Sequence, residues 1–254
     1  MSPKRTIEQV VLRVRDLTAM TAFYENAIGL RVMGRNGDSL QLGVGSTVLV
    51  ALLPDPAALP VDPSQAGLYH TAFLLPSRAD LSRWLRHADD IGLRLSGASD
   101  HGVSEALYLA DPEGNGIEIY RDRPESDWPR VGDQVQMTTR RLDLFALSQL
   151  TTDSWQGAPL GTSIGHVHLQ VGDADLASRF LTRELDLTHS FALPDAGWFG
   201  WNGYHHHLAA SAWHSKGAGP RDPRMAGLVQ VVIGAPDRAG EVLTDPWGTS
   251  FRMI

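Results

Sequence analysis

One supersecondary unit occurs more than once in this chain, and its first position changes from glutamine to histidine between two of the copies. Residues 9–17 (QVVLRVRDL) have a counterpart at residues 166–174 (HVHLQVGDA), and the match continues without a gap through the apolar segment that follows each copy. A repeat of this kind constrains the fold more than any other feature of the sequence, because each copy forms the same local structure. The first residue of the unit is Gln9 in one copy and His166 in the other.

Composition limits the classes of protein to consider. The 254 residues are 43% hydrophobic and 20% charged, which is typical of a soluble globular protein with one large or two small domains. A formal net charge of −7 argues against nucleic acid or an anionic membrane as the main partner. Cysteine is absent, so disulfides and thiolate metal sites are excluded. No apolar run is long enough to span a membrane, and we expect a cytoplasmic protein.

Hydrophobic periodicity predicts an α+β fold made of β-α-β-β-β modules. The predicted helices are capped by Asp16, Ser77 and Asp173 at their amino ends. Three complete modules and a shortened fourth are expected at residues 7–53, 68–122, 164–213 and 227–254. We therefore predict an N-terminal domain (1–122), a linker with one short helix (123–163) and a C-terminal domain (164–254).

Side chains that can bind a metal are confined to the two central modules. All ten histidines lie between His70 and His214. The equivalent position of the first strand is occupied, from module one to module four, by Gln9, His70, His166 and Gln230. In the last strand, Glu118 of module two aligns with Arg252 of module four, and the match of residues 115–118 (NGIE) with 202–205 (NGYH) aligns it with His205.

These positions predict a metal site if modules two and three pack together. The predicted ligands are His70, Glu118, His166 and His205. Two imidazoles and a carboxylate on one face, with further positions open, are typical of non-haem Fe(II), and Mn(II) or Zn(II) would also fit. Glu118 is the most informative of the four, because a carboxylate that points inward from an apolar strand needs a partner or a metal.

Other histidines are candidates for proton transfer, because imidazole titrates near neutral pH. If residues 204–209 form a strand, His205 and His207 share one face and His206 points away. We therefore predict His207 as a catalytic residue, with His101 as a second candidate on a loop before the strand that leads to Glu118.

Competing explanations remain open for several of these residues. A histidine within a strand is often structural, and residues 111–116 (DPEGNG) have the composition of a tight turn. Trp198, Trp201 and Trp213 either line a pocket for a flat substrate or pack in the core.

These segments resemble the vicinal oxygen chelate superfamily, which includes glyoxalase I, extradiol dioxygenases and bleomycin-resistance proteins. The resemblance is carried by residues 67–73 (GLYHTAF), 99–122 (SDHGVSEALYLADPEGNGIEIYRD), 165–169 (GHVHL) and 203–207 (GYHHH). It is strongest for the two-domain catechol-2,3-dioxygenase-like branch. It implies paired modules that form open mixed-sheet barrels around a divalent metal, with His70, His166 and Glu118 as ligands.

The resemblance implies a function and leaves alternatives. The expected activity is a metal-dependent extradiol-type ring cleavage of a small catecholic substrate, with Fe(II) held by modules two and three. Familiar extradiol enzymes hold their metal in the C-terminal pair of modules, where this chain has Gln230 and Arg252. The alternatives are a glyoxalase- or isomerase-type metalloenzyme that uses His205 as a fourth ligand, and a non-catalytic protein that binds a small ligand. A homodimer formed through the shortened module is a further possibility.

Overall fold

The computed structural model of the protein describes residues 5–132 and 134–254. It confirms the α+β class, with repeated modules in which one helix follows the first strand. Module one contains β1 (Thr6–Val14), α1 (Leu17–Phe23) with a wider helical turn (Tyr24–Ile28), β2 (Arg31–Asn36), β3 (Ser39–Val44) and β4 (Thr47–Pro54). Module two contains β5 (Gly67–Leu74), α2 (Arg78–Asp90), β6 (Gly97–Asp100), β7 (Ser104–Ala110) and β8 (Gly116–Asp122).

The second half of the chain follows the same plan after a linker. The linker contains a 3-10 turn (Glu125–Asp127), β9 (Arg130–Val131), β10 (Gln134–Val135), β11 (Arg140–Arg141) and α3 (Leu144–Ser148). Module three contains β12 (Ser163–Gln170), α4 (Ala174–Arg183), β13 (Thr188–Leu193), β14 (Ala196–Gly200) and β15 (Leu208–Ser211). Module four contains β16 (Gly227–Gly234), a 3-10 turn (Pro236–Arg238), β17 (Val242–Thr244) and β18 (Ser250–Met253). The helix of module four is thus reduced to one turn, as its short sequence predicts.

The helices begin at the predicted caps. The side chains of Asp16, Ser77 and Asp173 each accept a hydrogen bond from a backbone N–H in the first turn of the helix that follows. Gly29 ends the first helical segment with φ of 80°, a left-handed conformation that glycine adopts without steric cost. None of the helices within the described residues has the length and apolarity needed to cross a membrane.

The first strand of each module in the N-terminal half of the chain pairs with the first strand of a module in the C-terminal half. β5 runs antiparallel to β12, so module two lies against module three. β1 runs antiparallel to β16, so module one lies against module four. A bridge between Ile7 and Ile164 joins the two halves in one sheet. The proposed domain division at residues 122 and 164 stays a prediction, because both of these pairings cross it.

One predicted strand is wrong in its first half. We expected a strand from residue 204, whereas β15 begins at Leu208. Asn202 and Gly203 have φ of 55° and 78°, and the chain turns there before it enters the sheet. An Asn-Gly pair favours such left-handed turn conformations. The rule that alternate residues share a face therefore does not apply to residues 204–207.

Close contact between β5 and β8 generates a testable prediction about stability. β8 pairs with β5 through His70 and Gly116, and a Cβ atom at position 116 would overlap the carbonyl oxygen of Tyr69. We expect Gly116→Ala to lower the free energy of unfolding by about 1–3 kcal/mol, because the strands must separate to admit the methyl group. Thermal and urea unfolding would measure this change.

Gly97→Ala is the matched control. Gly97 also lies in a strand of module two, but a Cβ atom there would meet the Tyr108 ring at an ordinary 3.7 Å. Equal destabilisation by the two substitutions would show that the close approach at Gly116 is not the cause.

Candidate metal centre

Pairing of β5 with β12 brings His70, Glu118 and His166 to one point. His70 and His166 lie on these two strands, and β8 carries Glu118 beside β5. The Nε2 atoms of the two histidines are 3.2 Å apart. The Glu118 Oε2 atom lies 3.1 Å from His70 Nε2 and 3.2 Å from His166 Nε2. All three side chains are buried, so the cluster lies inside the protein.

The spacing of these three atoms fits a metal ion. Ligand atoms at about 2.1 Å from a metal and at right angles to one another lie about 3.0 Å apart. The three measured distances are close to this value, and the donor set is two imidazole nitrogens and one carboxylate oxygen. Residues that sequence reasoning proposed as ligands in two different modules therefore form one cluster of suitable geometry.

The charge states of the cluster also suit a metal. Burial alone would raise the pKa of Glu118, but the adjacent His166 and His70 hold it well below its usual range. Burial lowers the pKa of His166, and the Glu118 charge opposes this effect only in part. At neutral pH, Glu118 is therefore an anion and His166 is a neutral imidazole, which are the forms that bind metals. His166 Nδ1 is buried without a hydrogen-bond partner.

The structure does not place His205 in this cluster, and the sheet register explains why. β5 pairs Ala72 with Glu118 of β8, and the equivalent residue His168 of β12 pairs with Ala209 of β15. The position that symmetry assigns to a fourth ligand therefore holds a buried methyl group, four residues after His205. The match of residues 202–205 with 115–118 failed because the first segment is a turn and the second enters a strand.

His205 instead belongs to a separate polar chain. Its Nε2 atom is 2.8 Å from Asp122 Oδ1, and its Nδ1 atom is 2.8 Å from His206 Nδ1. Its ring packs against Trp128 and Tyr204 and is completely buried.

His206, and not His207, lies next to the cluster. The ring centroids of His206 and His166 are 4.1 Å apart, and His206 lines the adjoining cavity. His207 is absent from the residues that line it, accepts a hydrogen bond from the backbone N–H of Trp201 and packs on the Trp201 ring. The predicted facing of these histidines is therefore wrong, because the segment is a turn and not a strand.

His101 lines the same cavity and is linked to the cluster through Tyr108, whose ring centroid is 5.8 Å from that of His70. His101 Nδ1 lies 2.7 Å from the carbonyl oxygen of Thr138, and a carbonyl can only accept a hydrogen bond. The neutral ring therefore carries its proton on Nδ1, and Nε2 accepts from the Tyr108 hydroxyl at 2.7 Å. Burial and the neighbouring Glu118 carboxylate raise the pKa of Tyr108 well above its usual range.

Tyr108 was missed by the sequence analysis, although a signal for it existed. Tyr108 pairs with Glu118 in the antiparallel ladder of β7 and β8. The tight turn predicted at residues 111–116 fixes the register of this hairpin, and the register alone places Tyr108 beside Glu118.

The cluster forms part of the wall of a cavity of about 680 Å³, a size typical of small-molecule sites. Module three contributes a wall of apolar and aromatic side chains, among them Phe191, Leu193, Trp198 and Trp213. The linker supplies residues 137–139 on another side. No lysine or arginine is among the described residues that line the cavity. Trp201, the third tryptophan considered as a pocket residue, is buried and bonds to the Leu185 carbonyl instead.

Modules one and four have no comparable cluster within the described residues. The side chain of Gln9 donates to that of Gln41, and the side chain of Gln230 donates to that of Ser250. Register places Ala51 and Arg252 at the two positions equivalent to Glu118. The alignment of Glu118 with Arg252 in the sequence agrees with this register.

Comparisons with known proteins agree with this architecture. Residues 6–119 match the model of the Glyoxalase/Bleomycin resistance protein/Dioxygenase superfamily. Catechol-2,3-dioxygenase of Bacillus subtilis (strain 168) is 38% identical over 232 residues, which are 89% of this chain and 81% of that protein. Biphenyl-2,3-diol 1,2-dioxygenase 3 of Rhodococcus globerulus is 35% identical over 115 residues, which are 44% of this chain and 60% of that protein.

A solved structure shares the fold over nearly the whole length. Glyoxalase I from Zea mays superimposes with a TM-score of 0.60 at 15% identity, over 98% of this chain and 92% of that one. The repeated modules, the buried His/Glu cluster and the extent of the sequence match lead to one conclusion. The chain belongs to the Glyoxalase/Bleomycin resistance protein/Dioxygenase superfamily.

Proposed function

We propose that the protein is a metal-dependent extradiol-type dioxygenase that cleaves the ring of a small catecholic substrate. The observation that carries this proposal is a cluster of three ligand-type residues at an apolar cavity, with no fourth member among residues 5–132 and 134–254. The similarity to catechol-2,3-dioxygenase of Bacillus subtilis supports the same reaction.

His70, Glu118 and His166, from modules two and three, would hold the metal. Fe(II) is favoured by this donor set, and Mn(II) or Zn(II) are alternatives. When bound, the ion would supply open coordination positions at which two adjacent substrate oxygens and O2 are brought together. An isomerase of the glyoxalase type, which fills a fourth position with a protein ligand, is disfavoured because the symmetry-related residue is Ala209.

The proposed reaction is balanced without an external reductant. Both atoms of O2 enter the product, and the ring bond between one hydroxylated carbon and its neighbour that has no hydroxyl group is broken, which leaves a carboxyl group on the first carbon and a carbonyl group on the second. The ring carbons lose electrons and O2 gains them. The two hydroxyl protons must leave the substrate oxygens, and one must return to oxygen during cleavage.

Two groups of residues are placed to move these protons. His206 lies beside His166, and burial lowers its pKa well below the usual value, so that its ring is neutral at pH 7 and has one unprotonated nitrogen. In the same cavity, the Tyr108 hydroxyl donates to His101 Nε2 and can pass a proton between the substrate and that ring. We therefore assign acid–base roles to His206 and to the pair formed by His101 and Tyr108.

The walls of the cavity indicate the character of the substrate. Its aromatic side chains favour a flat, apolar substituent, and the described lining has no cation to pair with a carboxylate. We propose an uncharged catechol with a flat apolar substituent, oriented by Trp198 and its neighbour Phe191, whose ring centroids are 5.4 Å apart.

Metal content provides the first test. Protein purified without a His tag and supplied with Fe(II) should contain about one ion per chain, measured by inductively coupled plasma mass spectrometry. Glu118→Gln should lower the affinity at least roughly tenfold, because the ligand charge is lost. Glu125→Gln, which changes an exposed glutamate, should bind as the unmodified protein does. Equal retention of metal by both variants would contradict the proposed ligands.

Substitution of adjacent histidines provides the second test. His206→Gln should reduce kcat roughly 10²–10⁴-fold while metal content is retained, because a positioned acid–base group is lost. His207→Gln should change kcat far less, since His207 does not reach the cavity. The opposite ranking would restore His207, the residue expected from the sequence, as the proton carrier.

Substrate preference provides the third test. Catechol, a phenyl-substituted catechol and a carboxylated catechol should be compared with Fe(II)-loaded protein, with formation of a yellow ring-cleavage product as the readout. The phenyl compound should have the lowest KM and the carboxylated compound the highest. Trp198→Ala should raise the KM of the phenyl compound roughly tenfold, equivalent to about 1.4 kcal/mol, and leave that of catechol nearly unchanged.

Phe145→Ala is the control for loss of an aromatic ring, because Phe145 is exposed and does not line the cavity. A uniform rise in KM for all three compounds in Trp198→Ala would argue against a subsite for the substituent. Failure of metal-loaded protein to cleave any of them would favour the non-catalytic alternative.

A further inference from the structure

A polar chain runs from the end of β8 to the cavity. Asp122, the last residue of β8, accepts a hydrogen bond from the Tyr204 hydroxyl through Oδ2 at 2.7 Å. Its Oδ1 atom lies 2.8 Å from His205 Nε2, and His205 Nδ1 lies 2.8 Å from His206 Nδ1. His206 in turn packs on His166 and lines the cavity. The chain therefore connects a carboxylate to the candidate acid–base residue through one intervening ring.

The direction of these hydrogen bonds follows from which atoms can donate. An ionised carboxylate only accepts, so His205 must donate through Nε2–H. A neutral His205 then has a lone pair on Nδ1, which can only accept from His206. His206 must therefore carry its proton on Nδ1, and its Nε2 atom is left as an acceptor. Each ring has two tautomers in isolation, and the carboxylate selects one for both rings.

We propose that Asp122 is a positioning residue that acts through His205 to hold His206 as the Nδ1–H tautomer, with Nε2 as the proton acceptor. The functional part of this inference rests on the proposed dioxygenase reaction, in which His206 accepts a proton. The tautomer itself is a property of the folded protein and does not depend on the reaction.

The residues around this series of hydrogen-bonded side chains hold it in place. His205 is fully buried between Trp128 and Tyr204, with ring centroids 5.0 Å and 4.1 Å away. Tyr204 is fixed in turn by the Tyr120 hydroxyl at 3.0 Å. Position 165 must be a glycine for the Tyr120 hydroxyl to lie where it does, because a Cβ atom at this position would overlap that hydroxyl. The carboxylate of Asp122 thus has both oxygens engaged and one orientation available to His205.

Nitrogen NMR of the histidine rings tests the tautomer directly. Protein labelled with ¹⁵N-histidine and loaded with Zn(II), which is diamagnetic, should show His206 protonated on Nδ1 and unprotonated on Nε2. The signals can be assigned by their loss in His205→Gln and His206→Gln. Observation of His206 protonated on Nε2 would overturn the proposal, whatever reaction the protein catalyses.

Asp122→Asn should convert His206 to a mixture of tautomers, because an amide can accept from or donate to His205. With Fe(II)-loaded protein, kcat should fall roughly 10–100-fold, while KM and metal content should change less than twofold. Asp122→Glu should recover part of the loss. A drop in metal content equal to the drop in kcat, or an unchanged tautomer in Asp122→Asn, would contradict the positioning role.

Two further variants keep the proposal testable if Asp122→Asn folds poorly. Tyr204→Phe removes one of the two anchors of the carboxylate and should shift the His206 tautomer in the same direction by a smaller amount. Asp127→Asn removes the same charge from an exposed position five residues away and should change neither tautomer nor kcat. An equal response in Asp127→Asn would show that overall charge, and not the contact with His205, is responsible.

Discussion

The buried charge of Glu118 is the interaction on which the centre of this molecule depends. An isolated carboxylate inside a protein is costly, and this one is 3% exposed. Its stabilisation comes from two imidazoles that reach it from neighbouring strands of different modules. The antiparallel pairing of β5 with β12 is therefore both a packing interaction and the means by which the charge finds its partners. The cavity walls, His206 and the hydrogen-bonded pair of His101 and Tyr108 are arranged around this point.

Much of this arrangement could be predicted from the sequence, because repeats transfer information between copies. Comparison of first strands identified His70 and His166 without any knowledge of the fold. Comparison of modules two and four aligned Glu118 with Arg252. The register of β18 confirms that the two residues occupy equivalent positions. The caps Asp16, Ser77 and Asp173 were likewise predictable, since they satisfy backbone N–H groups locally.

The remaining parts of the site depend on loop geometry that the sequence does not reveal. Residues 202–205 and 115–118 both begin with Asn-Gly, yet the first pair forms a left-handed turn and the second leads into β8. A four-residue error in this alignment put His205 at the position that Ala209 occupies. Because residues 204–207 are not in a strand, His206 and not His207 lines the cavity. The contribution of the linker to the cavity was also out of reach, because it depends on how β11 attaches to β6. Errors of this kind arise where no periodic pattern constrains the chain.

Modules one and four have the same strand arrangement as modules two and three but lack the cluster of ligand-type side chains within the described residues. The first strands of modules one and four pair in the same register as those of modules two and three. Gln9 pairs with Val232, and the equivalent His166 pairs with Ala72. At the positions that correspond to the cluster, modules one and four carry glutamines, an alanine and an arginine. Gln9 donates to Gln41 and Gln230 donates to Ser250, and the hydrophobic core continues beneath these strands. The fold is therefore maintained by packing and does not require the buried acid.

Ala209 has an evolutionary consequence. Alanine and glutamate codons differ by one nucleotide, and symmetry assigns this residue the same place in module three that the acid has in module two. A lineage with this scaffold could thus move between an open coordination sphere and a saturated one in a single mutational step.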